Sequence, residues 1–279
     1  MSSPDLGRGI GFLGGGNMGR ALVAALLRSG SDRARIQIAE SHADAARTLF
    51  ADFGITATAD AESFLGRIDT LVLAVKPQDM ARALQPLRAT LERHRPLVIS
   101  VAAGLGVSQL QHWCGAGVPV VRAMPNRPAL DGAGATGLFA PPGVEPMLRQ
   151  RAATILATAG LVVWVDDEAL MDVVTAVSGS GPAYFFRFAE ALAAAGVAGG
   201  LSPAAAMQLA RATLQGAGKM AGPGADLAAL RASVTSKGGT TAAALATFED
   251  QGLERVVAAA VAAAVQRGRE LAAEAGDGG

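Results

Sequence analysis

Residues 11–19 read GFLGGGNMG, and the fold turns on what those glycines are for. The stretch RGIGFLG at 8–14 has the apolar run of a buried strand, and 17–29 carries the spacing of an amphipathic helix. Gly14, Gly16 and Gly19 therefore place G-x-G-x-x-G between a first strand and a first helix. In a chain with 35 glycines the motif alone is weak, and its position is what gives it weight. The first glycine permits a tight turn, the second lets backbone approach a pyrophosphate, and the third lets helix and strand pack closely. Free N–H groups and the helix dipole then favour phosphate at that end. The reading is a dinucleotide-binding turn, with Asn17 and Met18 in the first turn of the helix.

The pattern continues outward from that turn. Strand patterns at 35–40, 70–75, 96–101, 118–124 and 161–165 alternate with helical patterns at 43–53, 78–92 and 146–159. Such alternation predicts a parallel sheet covered by helices on both faces. From about Asp167 onward the patterns are helical almost throughout. The expected architecture is an α/β Rossmann-type parallel-sheet domain over 1–166, followed by an all-helical domain over 167–279. Pro182 suits a first helical position, and Ser202-Pro203 is a good N-cap and first-turn pair. Leu253, Val256, Val257, Ala260, Val261, Ala264 and Val265 form an apolar stripe at helical spacing. A small domain so rich in apolar faces is expected to oligomerise.

Glu40 closes the second strand, about 20 residues beyond the glycines, where an acid can accept hydrogen bonds from the adenosine ribose. It would repel a 2′-phosphate, and Ser41 and His42 follow it instead of an arginine. On charge alone this favours NADH over NADPH. Val75-Lys76-Pro77 ends the strand at 70–75, so Lys76 can reach a phosphate or ribose, or simply point to water. Ser100 to Gly104 supplies small residues against which a flat nicotinamide can lie.

Composition narrows the function further. Formal net charge is zero and only 17% of residues are charged, which argues against broad electrostatic binding to nucleic acid or anionic membranes. Cys114 is the single cysteine, so it reads as a small apolar residue. His42, His94 and His112 lack metal-ligand spacing, and no metal site is expected. The N-terminus lacks a signal-peptide pattern, and VVAAAVAAAV at 256–265 is too short and too alanine-rich to span a bilayer. A soluble, cytoplasmic protein is expected.

VTSKGGTT at 234–241 concentrates hydroxyls and glycines ahead of an alanine-rich helical run. A turn with an N-cap would explain one hydroxyl and one glycine. A small-anion site would explain the rest, with free N–H groups at the helix start and neighbouring hydroxyls facing the anion. SGSGPAY at 178–184 lacks the strand–elbow–helix context of a serine nucleophile. Its small residues instead permit close backbone approach.

Six stretches, in this order and spacing, resemble pyrroline-5-carboxylate reductases. They are GGGNMG at 14–19, AVKP at 74–77, SVAAG at 100–104, RAMPNRP at 122–128, MDVVTAVSGSGPAY at 171–184 and VTSKGGTTAAAL at 234–245. The resemblance covers about residues 8–272, and the last two stretches are its most specific part. It implies reduction of 1-pyrroline-5-carboxylate to L-proline with NADPH or NADH, the last step of proline biosynthesis. It also implies a helical domain interlocking at least a homodimer, commonly built into a decamer, with an active site between the nucleotide domain and helical elements of the dimer. Carried onto this chain, Gly14, Gly16, Asn17 and Met18 line the pyrophosphate, Val75 and Lys76 the cofactor, and Ala102 and Ala103 the nicotinamide. Ser236, Gly239, Thr240 and Thr241 surround the substrate, and Asp167-Glu168 falls where the family has acidic residues near the pocket. Thr241 is expected to orient the imine and help protonate it. Lys237, Arg127 and Ser233 depart from commoner family residues without touching the chemistry, whereas Glu40-Ser41 bears on cofactor choice. Two other readings remain: a β-hydroxy acid dehydrogenase, which would want a lysine on the helix at 182–196, and a non-catalytic NAD(P)H sensor.

Overall fold

The computed structural model describes residues 6–276. Its strands are β1 (Ile10–Leu13), β2 (Ile36–Ala39), β3 (Thr70–Leu73), β4 (Leu97–Ser100), β5 (Val120–Met124), β6 (Gly134–Phe139) and β7 (Gly160–Trp164). Among them run helices α1 (Asn17–Arg28), α2 (Ala43–Phe53), α3 (Glu62–Leu65), α4 (Met80–Leu84), α5 (Arg88–His94), α6 (Val107–Cys114) and α7 (Pro146–Ala157). After them come α8 (Leu170–Val174), a π-helical turn (Thr175–Gly179), α9 (Gly181–Ala198), α10 (Pro203–Met220), α11 (Leu227–Ser233), α12 (Thr240–Asp250) and α13 (Leu253–Gly276).

The strands make one seven-stranded sheet in the order β2-β1-β3-β4-β5-β6-β7. Its strands alternate by face, as period two demands. Phe12, Val72, Ile99 and Val121 point into one core, with Leu22 and Leu26 of α1 and Ile155 and Leu156 of α7. Leu71, Leu73, Val98 and Val120 point into the other, with Met80, Leu84, Leu91, Leu110 and Trp113. Both faces of the sheet's centre are therefore buried, as in doubly covered parallel sheets, whereas Leu161 and Val163 of edge strand β7 are exposed.

Two features depart from the expected parallel sheet with one helix at 78–92. Strand β6 runs antiparallel to β5 and parallel to β7. Pro86 also divides the helical segment into α4, a 3₁₀ turn over Gln85–Leu87, and α5. Proline has no N–H to continue the ladder and crowds the preceding turn. Helices α3 and α6 and strand β6 are additions to the sequence reading. Cys114 is fully buried, and burial pushes its thiol up to about 12, so it behaves as a small apolar residue.

The start of the sheet is pinned by Asp69. Its carboxylate accepts the Arg8 backbone N–H at 2.8 Å and the Arg8 Nε–H at 2.7 Å, and Arg151 lies 4.0 Å away. Burial alone would raise the pKa of Asp69, but the Arg8 hydrogen bonds and the two guanidinium charges outweigh it and hold the group below its usual range. A lowered folded-state pKa stabilises the fold above the ordinary carboxyl value of about 3.9, and the effect is lost as pH falls through the folded value. Asp69→Asn should therefore cost about 1 kcal/mol at neutral pH, after allowance for solvent exposure. In thermal melts the gap to wild type should close below about pH 4. A gap of constant size down to pH 2 would contradict this account.

Compactness divides the chain into one unit of residues 6–179 with 264–276, and a second of 180–263. The end of strand–helix alternation at 166/167 follows β7, whereas by compactness α8, the π-helical turn and the last turns of α13 belong with the sheet. Within the second unit α9 and α10 pack through Ala193, Ala206 and Ala210, and the Phe188 and Phe248 rings lie 5.9 Å apart. The Ser202 hydroxyl caps α10 by accepting the Ala205 N–H. Phe185 and Phe186 stay about 60% exposed, as do Leu209 and Val256, so this unit presents a continuous demand for an apolar partner.

Candidate active site

In an open α/β sheet, ligands bind where the strand order reverses, beyond the carboxyl ends of the strands. Here that point lies between β1 and β3, whose connections leave in opposite directions. The turn after β1 is fixed by the Gly14 N–H donating to Ala39 O and the Ala74 N–H donating to Leu13 O, each at 2.8 Å.

Each glycine of the motif has its own reason. Gly14 has φ +99°, and a Cβ there would lie 2.8 Å from the Ala74 backbone. Gly19 is buried, and a Cβ on it would come within 2.5 Å of Gly14 O, so α1 could not approach β1. Gly16 is exposed, and a Cβ on it would meet nothing within 4 Å. The protein itself leaves the space at Gly16 open. Gly16 is also the N-cap of α1 and brings no side chain to it, which leaves N–H groups of the first turn for an anion. Asn17 and Met18 stand in that turn.

The turn opens into a cleft of about 520 Å³. Gly14, Gly16, Glu40, Ser41, Val75 and Lys76 meet there, joined by Ala74, Asp60, Asp79 and Arg82, which sequence reasoning missed. Arg82 and Asp79 form an ion pair of 2.7 Å across i,i+3 spacing; that spacing behind Lys76-Pro77 was the available signal. Pro77 opens the 3₁₀ turn Pro77–Asp79 and directs the chain away after Lys76. Ala102 and Ala103 sit on the loop after β4, outside this lining, and the Ala102 N–H donates to the Ser100 hydroxyl at 3.4 Å. Ala272 of α13 lies beside Gly104 of the same loop, a neighbour that local sequence did not suggest.

Glu40 is not a solvated strand end. Its side chain is only 8% exposed. Oε2 accepts the Gly15 N–H at 2.9 Å, and Oε1 accepts the His42 N–H at 2.8 Å and faces His42 Nδ1 at 3.0 Å. Burial pushes the carboxyl up, but the donors from His42 and Gly15 together hold it below its usual range. The group is an anion fixed at the end of β2. The residues thus suit a dinucleotide: an uncapped helix end for the pyrophosphate, open space at Gly16 and a carboxylate for ribose hydroxyls.

Beyond the cleft, Glu168 Oε1 accepts the Val107 N–H at 2.7 Å and pairs with Arg122 Nη1 at 2.8 Å. It braces the start of α6 against β5. Asp167 is exposed, and its carboxylate accepts the Ala169 N–H at 2.9 Å. Buried Asn126 of the MPN stretch donates to Ser178 O and accepts the Ala135 N–H, both at 2.9 Å, tying the π-helical turn to β6. The Ser178 hydroxyl donates back to Val174 O, which is no posture for a nucleophile. Asn126→Leu leaves that carbonyl and that N–H without partners, so a stability loss of about 1–3 kcal/mol is expected in chemical denaturation. An unchanged midpoint would show that the tie is dispensable.

In the helical unit, α12 begins at Thr240 with Gly239 as its N-cap and no side-chain cap. The Gly239 N–H donates to Ser236 O at 3.0 Å, and Gly238 adopts φ +70°. A Cβ at Gly239 would collide with the Ser236 hydroxyl, so that glycine keeps the turn closed. Ser236, Gly239, Thr240 and Thr241 are thus gathered around an uncapped helix start.

Residues 168–271 match the family model for pyrroline-5-carboxylate reductase dimerisation, and 9–104 match the model for NADP oxidoreductase coenzyme F420-dependent. A pyrroline-5-carboxylate reductase from Pseudomonas aeruginosa is 40% identical over 99% of this chain and 100% of its own length. The chain belongs to the pyrroline-5-carboxylate reductase family. A reductase from Vibrio alginolyticus is 42% identical, covering 94% of this chain and 97% of that one. The structure of a pyrroline-5-carboxylate reductase from Coxiella burnetii superposes with TM-score 0.89 at 38% identity, covering 94% and 97% of the two chains. A Plasmodium falciparum pyrroline carboxylate reductase, solved with NADP bound, superposes with TM-score 0.78 at 27% identity over 95% and 98%. The expected fold class holds for this reductase: a mostly parallel Rossmann-like sheet followed by a helical dimerisation segment. It is an NAD(P)H-dependent oxidoreductase, and the exposed apolar helices are accounted for by a family that dimerises. Among the described residues no helix is long and apolar enough to cross a membrane.

Proposed function

We propose that this reductase converts 1-pyrroline-5-carboxylate to L-proline, ending proline biosynthesis, with residues 1–166 holding NAD(P)H and residues 167–279 serving oligomerisation and substrate binding. Family membership over the full chain supports the reaction. The observation that carries the substrate assignment is the uncapped start of α12, beside which Ser236, Thr240 and Thr241 all stand although none of their hydroxyls caps it. Capping alone would use one of them.

The bound nicotinamide supplies the hydride. The chain supplies position and charge. Gly14, Gly16, Asn17, Met18 and Gly19 form the pyrophosphate turn, Glu40 and Ser41 border the adenosine ribose, Val75, Lys76 and Pro77 line the cofactor, and Ala102 and Ala103 back the nicotinamide. The N–H groups at the start of α12, with the Ser236 and Thr240 hydroxyls and the turn at Gly239, receive the substrate carboxylate. Thr241 orients the ring nitrogen and delivers a proton to it, directly or through water, as the neighbouring carbon is reduced. The Asp167-Glu168 corner borders the substrate, with Glu168 acting through its brace to Arg122 and Val107. A homodimer assembling into a decamer, and a cytoplasmic setting shared with biosynthetic enzymes, complete the proposal.

The test is direct: purified protein with pyrroline-5-carboxylate, following NADH and NADPH oxidation separately and assaying proline. Absence of proline with both cofactors sinks the proposal. Dinucleotide binding without turnover would favour the sensor reading.

A further inference from the structure

A carboxylate at the end of the second strand can discriminate against a 2′-phosphate only if it cannot move aside. A surface glutamate has that freedom, since rotation about its side chain costs little. Glu40 does not. Turning it away from the cleft would strip the Gly15 N–H of its 2.9 Å acceptor and the His42 N–H of its 2.8 Å acceptor, in a side chain only 8% exposed. Gly15 belongs to the same turn that takes the pyrophosphate, so the anion and the phosphate-binding backbone are one rigid piece.

Among the described residues, the other charges on the cleft leave one cation without an ion pair, Lys76, and it follows β3, separated by β1 from the end of β2 where Glu40 stands. Asp60 and Asp79 add negative charge; Lys76, Arg82 and His42 are the basic groups. Arg82 is already paired with Asp79 at 2.7 Å, and the His42 ring faces Glu40 itself at 3.0 Å. Ser41, next to Glu40, has a hydroxyl but no charge to offer a phosphate.

The geometry points to Glu40 as the residue that sets cofactor choice in this reductase, holding the ribose hydroxyls of NADH and excluding the 2′-phosphate of NADPH. It rests on the assignment of this cleft to the adenosine half of the cofactor. Two negative groups brought within contact distance in a partly desolvated cleft should separate the two affinities by at least about tenfold.

Calorimetric titration of the oligomeric enzyme with NADH and with NADPH, without pyrroline-5-carboxylate, measures this apart from turnover. Wild type should bind NADH at least about tenfold more tightly. Glu40→Gln keeps an acceptor for the Gly15 N–H and removes the charge, so it should narrow the ratio mainly by strengthening NADPH. Ser41→Arg leaves all the contacts of Glu40 in place and should narrow it too, which covers the case in which the Glu40→Gln protein does not fold. Wild-type binding of NADPH equal to or tighter than NADH overturns the inference. So does a ratio unmoved in every variant that folds, since Glu40 would then only staple the turn. Because no substrate is present, a protein that makes no proline still gives a readable ratio, and one that makes proline while preferring NADPH refutes only this assignment.

Discussion

Thr241→Val lowers kcat by about 10²-fold or more, the contribution expected of a positioned proton donor, which spans about 10²–10⁴. The substitution keeps the shape of the side chain and removes its hydroxyl. Thr241 is the second residue of α12, and the N-cap is Gly239, so the hydroxyl does not hold the helix end. The melting temperature should therefore stay close to wild type, and NADH affinity should not change. Serine at the same position should restore part of the rate. A loss of stability with unchanged kcat would return the residue to a structural role.

Gly14→Val should abolish dinucleotide binding and destabilise the sheet unit. The backbone at Gly14 has φ +99°, where side chains are strained, and a Cβ there meets the Ala74 carbonyl at 2.8 Å and Val75 Cγ1 at 2.9 Å. Strain and overpacking each cost about 1–3 kcal/mol, so a combined loss of about 2–5 kcal/mol is expected. Gly16→Val is the informative partner. Its backbone, at φ −67° and ψ −170°, suits any residue, and a Cβ has open space. That variant should melt like wild type yet bind NADH at least about tenfold more weakly, because the side chain occupies room meant for the pyrophosphate. Equal affinity in Gly16→Val and wild type would show that the cofactor does not run over this turn.

The two variants also mark what local sequence could and could not show. The glycine pattern and its strand–helix setting were legible at once, since the spacing is local, although the close approach that Gly14 permits is to Ala74 and Val75, sixty positions on. Six of the strands carried enough branched apolar residues to be seen. Strand β6 did not, because Gly134 and Gly137 give it the look of a turn; both are there for close packing, against Ala159 and Val174 respectively. Helix α6 has Val107, Leu110, Trp113 and Cys114 on its buried side, but it is short and lies between glycines at 106 and 115. The acid at the end of β2 was visible, whereas its grip on Gly15 joins residues 25 positions apart. The Glu168–Arg122 brace and the Asn126–Ser178 tie span 46 and 52 positions, beyond any periodicity. The SKGGTT stretch was recognisable as a helix start with surplus hydroxyls. That none of them caps the helix depends on how the turn places Gly239 at the N-cap.

Helix α13 begins in the helical unit and ends in the sheet unit. The helical unit is thus an excursion held at both ends, at 179/180 and at 263/264. Contacts within the sheet unit depend on residues that follow the helical unit in the chain: Ala272 reaches Gly104, and Arg269 comes within 3.8 Å of Asp172, only after the whole helical unit has been translated. Domains usually mature in the order of synthesis. Here the loop behind β4 meets Ala272 only once the helical unit has been made, so this part of the sheet unit cannot finish folding in the order of synthesis.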